Sequence, residues 1–166
     1  MSAVLEAMYD LVDRFTDLSS DTILRAWPNR TATPLREYAV ITDLNSSRRG
    51  TNLVEFTFNP LTTEDGISTE SALQQTNIQF DFIGANARDY ATRIEVLSRS
   101  SILCDFLAPY EISPLFADSP RDMTSGDSSL QYAIRFVVTL TISYWTGVSS
   151  PTGWFDNATV NTEVIE

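Results

Sequence analysis

Residues 132–144 read YAIRFVVTLTISY and carry the clearest periodic signal in the chain. Large apolar side chains alternate there with small or polar ones, and a period of two is typical of a β-strand with one buried face. This stretch has thirteen residues, whereas strands usually run about five or six, so we expect the strand to extend beyond its own sheet. The apolar positions are Tyr132, Ile134, Phe136, Val138, Leu140, Ile142 and Tyr144.

Further strands are predicted by the same alternation, with turn formers between them. One begins at residue 38 and ends near 45–47, others cover 53–58, 78–82 and 111–116, and a more polar one is expected at 154–164 after a turn at 147–153. Residues 61–75 are polar and long for a loop in a compact domain. They therefore predict an extended loop or hairpin arm.

Three segments show the apolar spacing of helices. They are an N-terminal helix within residues 1–18, a central helix over 86–97 and a shorter one over 100–107. The whole predicts one α+β domain over residues 1–166. Its mainly antiparallel sheet carries the N-terminal helix and the central helical pair on one face, and an extended hairpin arm is added to it.

The composition excludes much catalytic chemistry. The 166 residues include 22 acidic side chains and 11 basic ones, all arginine, with no lysine, no histidine and one cysteine. A His-dependent triad, a Schiff-base lysine and a lysine-bearing phosphate loop cannot be built, and the usual zinc ligands are missing. We expect no catalytic site, cofactor or metal. Asp81 and Asp89 flank a strand-to-helix turn and are interpreted as helix caps before metal ligands.

The net charge of −11 argues against stable nucleic-acid binding, which relies on clustered arginine and lysine. Transient passage of DNA past an acidic surface is compatible with this net charge. The N-terminus has no basic segment and no run of about 20 apolar residues occurs, so we expect neither a signal peptide nor a membrane span. Cys104 is predicted to be a buried structural thiol, and a single cysteine fits assembly in a reducing cytoplasm.

Two groups of side chains could form surfaces. Trp145 and Trp154 bracket the predicted turn at 147–153 and favour an interface over a carbohydrate platform. An acidic stripe follows the N-terminal helix, and its ordinary interpretation is a solvated face. The stripe consists of Glu6, Asp10, Asp13 and Asp17.

The order of segments resembles the neck or tail-terminator proteins of tailed bacteriophages. The resemblance covers most of the chain and includes PLREYAVI at 34–41, TNIQFDFIGANARDYA at 76–91, and the strand at 132–136. It implies a hexameric ring that caps the tail tube, stops its polymerisation and joins it to the head-side connector, with DNA passing through the lumen. It also implies a place in the virion neck, assembly in the host cytoplasm, and no active site or cofactor.

Closed rings use heterologous contacts, so we expect one patch on the arm and its counterpart near the sheet edge or helices of the next subunit. Arginine's planar fork suits such fixed interfaces. The subunit-interface candidates are Phe56, Phe58, Leu61, Arg88, Arg93, Arg135, Trp145 and Trp154. The acidic lumen candidates are Glu6, Asp10, Asp13 and Asp17.

Other functions remain open on these patterns. A related one is another neck component, such as a head-completion protein, or a tail-tube-like subunit that polymerises. A different class is an accessory domain of a carboxylate-dependent glycan hydrolase, because carboxylate-only chemistry survives the composition.

Overall fold

The computed structural model describes residues 3–26, 36–58, 65–126 and 132–153. The helices within these residues are α1 (Ala3–Phe15), α2 (Ala87–Leu97) and α3 (Ser101–Leu107), with 3₁₀ turns at Ser20–Thr22 and Ala108–Tyr110. The strands are β1 (Ile23–Arg25), β2 (Tyr38–Arg48), β3 (Leu53–Phe58), β4 (Asp65–Ile83), β5 (Ile112–Ala117), β6 (Arg121–Asp122), β7 (Ser125–Gly126), β8 (Tyr132–Ala133) and β9 (Arg135–Gly153).

Seven of these strands form one mixed sheet. Its order is β1-β2-β4-β9-β5, with β3 also paired to β4 and β6 to β9. The pairs are antiparallel except β1 with β2, and β7 and β8 form a separate small ribbon. Strands β4 and β9 have 19 residues each and pair in continuous register, from Asp65 opposite Gly153 to Ile83 opposite Arg135. At about 3.3 Å per residue this pair is roughly 60 Å long.

The long pair β4–β9 serves two parts of the molecule. In the body, β2 flanks β4 at residues 74–83, while β5 and β6 flank β9 at residues 136–144. In the second part, which we call the arm, only β3 joins the pair among the described strands. The arm consists of residues 53–58, 65–73 and 145–153.

The arm overturns one expectation and agrees with another. The predicted turn at 147–153 is wrong, because these residues continue β9 and each has a partner in β4. Residues 65–75 lie in β4, and 66–71 pair antiparallel with β3, so the hairpin arm and not the extended loop is the alternative found in the described part of this segment. Residues 61–64 and the strand expected at 154–164 lie outside the described residues.

The core lies on one face of the body, which we call the core face. Register partners in neighbouring strands share a face, so Phe80, Phe82, Leu140 and Ile142 all belong to it, and all four are fully buried. The helices bury their apolar stripes in the same cluster, with Met8, Leu11, Ala91, Ile94, Leu103 and Leu107. The expected α+β class is thereby confirmed.

Cys104 contradicts its prediction, since its thiol is exposed. Leu103 and Leu107, one helical turn apart, form the buried side of α3. Residue 104 is rotated by about 100° from residue 103 around the helix axis, and this rotation turns it outward.

Gly84 ends β4 and makes the turn into α2. Its φ is 133°, in the region that favours glycine, and a Cβ at this position would lie 2.4 Å from Cγ of Glu37. The close backbone approach places the Glu37 side chain at the start of α2. Glycine is thus required here for both conformation and space.

Candidate assembly surfaces

The arm carries large apolar side chains that are exposed. Val54, Phe56 and Val148 lie on the side that continues the core face, where Phe56 is 65% and Val148 is 75% exposed. Leu53 and Trp145 are exposed on the opposite side. Val54 and Phe56 are neighbours on β3, and Glu70 of β4 separates Val54 from Val148 of β9. Exposed apolar side chains gathered on a projection favour an interaction site. The arm is therefore a candidate docking surface on both of its faces.

The interface candidates on and near the arm have different placements. Phe56 is exposed in β3, and Trp145 is exposed within β9 instead of beside a turn. Phe58 ends β3, but its side chain is outside the described residues, as are Leu61 and Trp154 entirely.

Arg135 is bound within its own chain. Its Nε and Nη2 donate to Oδ1 of Asp81 at 3.1 and 2.8 Å, while Nε2 of Gln79 donates to Oδ2 of Asp81 at 2.8 Å. Asp81 is only 5% exposed, so the guanidinium neutralises a buried carboxylate. The interpretation of Asp81 as a helix cap is wrong, because its side chain lies on the sheet face opposite the helices.

The Glu37 side chain lies at the start of α2, a contact that no sequence motif predicted. Its carboxylate accepts the backbone N–H of Asn86 at 2.9 Å, Nδ2 of Asn86 at 3.2 Å and the Tyr90 hydroxyl at 3.3 Å. Burial raises the pKa of Glu37, but these hydrogen bonds outweigh it and hold the pKa below its ordinary value. Because Glu37 and Asn86 are 49 residues apart, no local motif signals this contact.

An open groove of about 520 Å³ lies along the exposed side of α2. Phe15, at the end of α1, and Val96 and Leu97 supply its apolar lining, and Asp89 and Arg93 supply its charged lining. Val96 is exposed although it is apolar. The groove is thus a second apolar surface, and it lies on the body.

Arg88 and Arg93 are both exposed on α2. Arg93 donates to Asp17 Oδ2 at 3.1 Å, and its guanidinium carbon lies 5.7 Å from the centre of the Tyr90 ring. Both members of the Arg93–Asp17 pair are exposed, so the pair contributes little to stability. A guanidinium has five N–H donors, which leaves Arg93 able to bind a further acceptor.

The acidic stripe of α1 does not form one uniform surface. Glu6 and Asp13 are exposed, whereas Asp10 accepts the Tyr110 hydroxyl at 2.6 Å. That hydrogen bond, with burial and the charges of Asp10 and Glu6, raises the pKa of Tyr110. Asp17 lies beyond the end of α1 and pairs with Arg93.

Comparison with known families identifies the protein class. A family model for the phage neck terminator protein matches residues 3–166. The chain belongs to this family. The expected resemblance is confirmed over essentially the whole chain, and the protein is a structural component of the phage neck and hence of the virion. No individual curated protein matches it.

In the body of this neck terminator, the sheet face opposite the helices carries mainly polar side chains, and several of them, such as Asp81 and Thr141, are buried. Nδ2 of Asn77 donates to Oδ1 of Asn45 at 3.0 Å, and the Thr141 hydroxyl donates to Oδ1 of Asn77 at 2.9 Å. These bonds run across β2, β4 and β9. They satisfy polar groups of neighbouring strands on a face that no apolar stripe from α1, α2 or α3 covers.

In the part of the chain that the structure describes, no group of three or more His, Cys, Asp or Glu side chains is placed to hold a metal ion. None of the described helices is long and apolar enough to cross a membrane.

Proposed function

We propose that this neck terminator forms a closed hexameric ring that caps the tail tube, stops its polymerisation and joins the tail to the head-side connector. The arm is the observation that carries the proposal. Three strands extend beyond the body and expose apolar side chains on both faces, among them Phe56, Val148 and Trp145. Such a projection favours association with other protein subunits.

The arm and the body present different surfaces, and this difference favours a ring. An arm that docks on a groove or edge of another copy makes a heterologous contact, which closes into a ring when the rotation between copies is an integral fraction of a turn. Phe56, Arg88, Arg93 and Trp145 are the proposed contact residues among those that the structure places on exposed surfaces. Phe58, Leu61 and Trp154 are proposed as contact residues from the sequence alone. Arg135 is also proposed, because its guanidinium stays partly exposed while it pairs with Asp81.

Charge supports passage of DNA through the ring. Six copies at −11 each carry −66, and a wall of this sign repels phosphates instead of holding them. Glu6 and Asp13 are the exposed members of the proposed acidic lining. Asp10 and Asp17 belong to the same proposed lining but also hold Tyr110 and Arg93.

Imaging of purified tail tubes mixed with the protein tests the proposal. We expect a six-fold ring at one end of each tube, and tubes that no longer lengthen when tube subunits are added. Bare tube ends and continued growth would contradict it. Open-ended tubes made by this chain would favour a polymerising subunit, and binding to head connectors alone would favour a head-completion protein. Hydrolysis of a glycan that is lost when paired Asp or Glu residues are changed would favour an accessory domain of a carboxylate-dependent glycan hydrolase.

A further inference from the structure

The arm combines acidic and apolar side chains and lacks arginine. Residues 53–58, 65–73 and 145–153 contain Glu55, Asp65 and Glu70 but no arginine. Glu70 shares a face with Phe56, because Val54 pairs with Glu70 and Phe56 lies two residues further along the same strand.

The groove beside α2 combines an apolar wall with a partly free cation. Its charged lining consists of Asp89 and Arg93. Arg93 uses Nη1 on Asp17, and the other N–H donors of its guanidinium can bind a further carboxylate. Phe15, Val96 and Leu97 provide an apolar wall. The groove is open and has a volume of about 520 Å³, which is large enough to admit a phenylalanine ring.

Phe56 of the arm cannot reach the groove of its own chain. The backbone N–H of Ala117 donates to Oγ of Ser98 at the end of α2, and Ala117 is level with Leu140 and Ile78 in the sheet. Ile78 is ten residues along β4 from Ser68, the register partner of Phe56. Ten residues of strand span about 33 Å. A contact between Phe56 and this groove must therefore join different copies.

We propose that the arm of one copy docks in the α2 groove of the next, which identifies the subunit contact of the hexamer and rests on the proposed ring. Phe56 packs against Phe15, Val96 and Leu97, and Glu70 lies beside Arg93. The contact is head-to-tail, since every copy donates an arm and accepts one. The occupant is a second copy of this chain because its arm supplies the apolar anchor and the carboxylate that the groove matches.

Disulfide trapping in the full chain tests the contact. Cys104 is exposed, so the background is Cys104→Ser. Phe56→Cys with Val96→Cys in one chain should give, on oxidation, a ladder of linked species that ends at six copies. Mixing the two single-cysteine chains should give linked dimers alone. The matched control is Leu53→Cys with Val96→Cys, because Leu53 lies on the same strand but on its other face.

Absence of the Phe56–Val96 ladder, or an equal ladder from the Leu53 control, would overturn the proposal. Linking of Phe56→Cys to tail-tube protein instead of a second copy would also overturn it. If either of these outcomes is found while the wild-type chain still forms rings, the proposed contact is wrong but the proposed ring is not. If the wild-type chain neither forms rings nor binds tube ends, the proposed function itself fails.

A charge exchange provides a second readout that keeps the Phe56 side chain. Glu70→Arg and Arg93→Glu should each weaken association of the subunits about tenfold or more, and the double variant should recover most of that loss. Both side chains are exposed, so melting temperatures should change little and serve as the folding control. A double variant that associates as poorly as the worse single variant would contradict the contact between Glu70 and Arg93.

Discussion

Arg135 neutralises Asp81 across the long strand pair, with two donors within 3.1 Å of one carboxylate oxygen. The two residues lie next to each other on the sheet face opposite the core, where Asp81 pairs with Val137 and Ile83 pairs with Arg135. Because the carboxylate is buried and the guanidinium is partly exposed, the pair stabilises the body by keeping Asp81 satisfied.

Removing the arginine of this pair should destabilise the fold. Arg135→Met leaves a buried carboxylate with Gln79 as its remaining partner, which we expect to lower the free energy of unfolding by about 2 kcal/mol. Asp81→Asn should cost less, since the arginine left behind can turn to solvent. Urea unfolding monitored by circular dichroism measures both. If the two variants lose equal or negligible free energy of unfolding, the pair does not stabilise the body by keeping Asp81 satisfied.

Replacing Gly84 with alanine should destabilise the fold far more than the same replacement at another glycine of positive φ. Gly84→Ala forces a Cβ to 2.4 Å from Cγ of Glu37 and to 3.1 Å from its Cα, which we expect to cost about 2–4 kcal/mol. Gly50→Ala is the matched control, because Gly50 also has positive φ but nothing within 4 Å of the added Cβ. It should lose about 1 kcal/mol. Similar thermal shifts in the two variants would refute the steric argument.

Glu37 should make stability depend on pH in the acid range. Its pKa is lowered in the fold, so its contribution is present above the ordinary glutamate pKa and is lost as the pH falls through the lowered value. Glu37→Gln should therefore be less stable than wild type near pH 7, by roughly 1 kcal/mol for the lost charge-assisted hydrogen bonds. The two should converge as the pH falls below that lowered pKa. Unfolding curves across pH measure this difference, and a gap that widens on acidification would contradict the assignment.

Phe56 should matter for assembly and little for folding. Phe56→Ser removes an exposed ring, so the free energy of unfolding should change by less than about 0.5 kcal/mol, while association weakens at least tenfold. Phe116→Ser makes the same chemical change at an exposed site of β5, outside the arm, and should leave association intact. Sedimentation at several concentrations compares them. Equal behaviour of both variants would argue against the arm as an interface.

The body was predictable because its signals are local. Apolar residues at helical spacing in α1, α2 and α3, and alternation in β3 and the first half of β9, indicated elements that the structure contains. The clustering of Phe80 and Leu140 with the helices followed from the same patterns, since an apolar face must be buried against another.

The pairing of residues 65–75 with residues 143–153 was not predictable from local signals, although the sequence did indicate a strand too long for its own sheet and a loop or hairpin arm. Gly147, Ser149, Pro151 and Gly153 are turn formers, and residues 65–75 are mostly polar, so each segment taken alone favours a loop. In the fold each segment pairs with the other, and this non-local pairing overrides their propensities.

The contacts of the predicted surface residues were missed for the same physical reason. Arg135 pairs with Asp81 54 residues away, and Tyr110 with Asp10 100 residues away. Sequence patterns show which residue types could bind a partner, but not which are already occupied within the chain. For Cys104, by contrast, the positions of Leu103 and Leu107 in the helix already indicated an outward-facing side chain.

The mass of the purified assembly tests the central claim most directly. Light scattering coupled to size-exclusion chromatography should give six copies of the 18.5 kDa chain, about 111 kDa, in a single species that does not grow with concentration. A particle that remains at 18.5 kDa at every concentration, or one whose mass increases without limit, would contradict a closed hexameric ring.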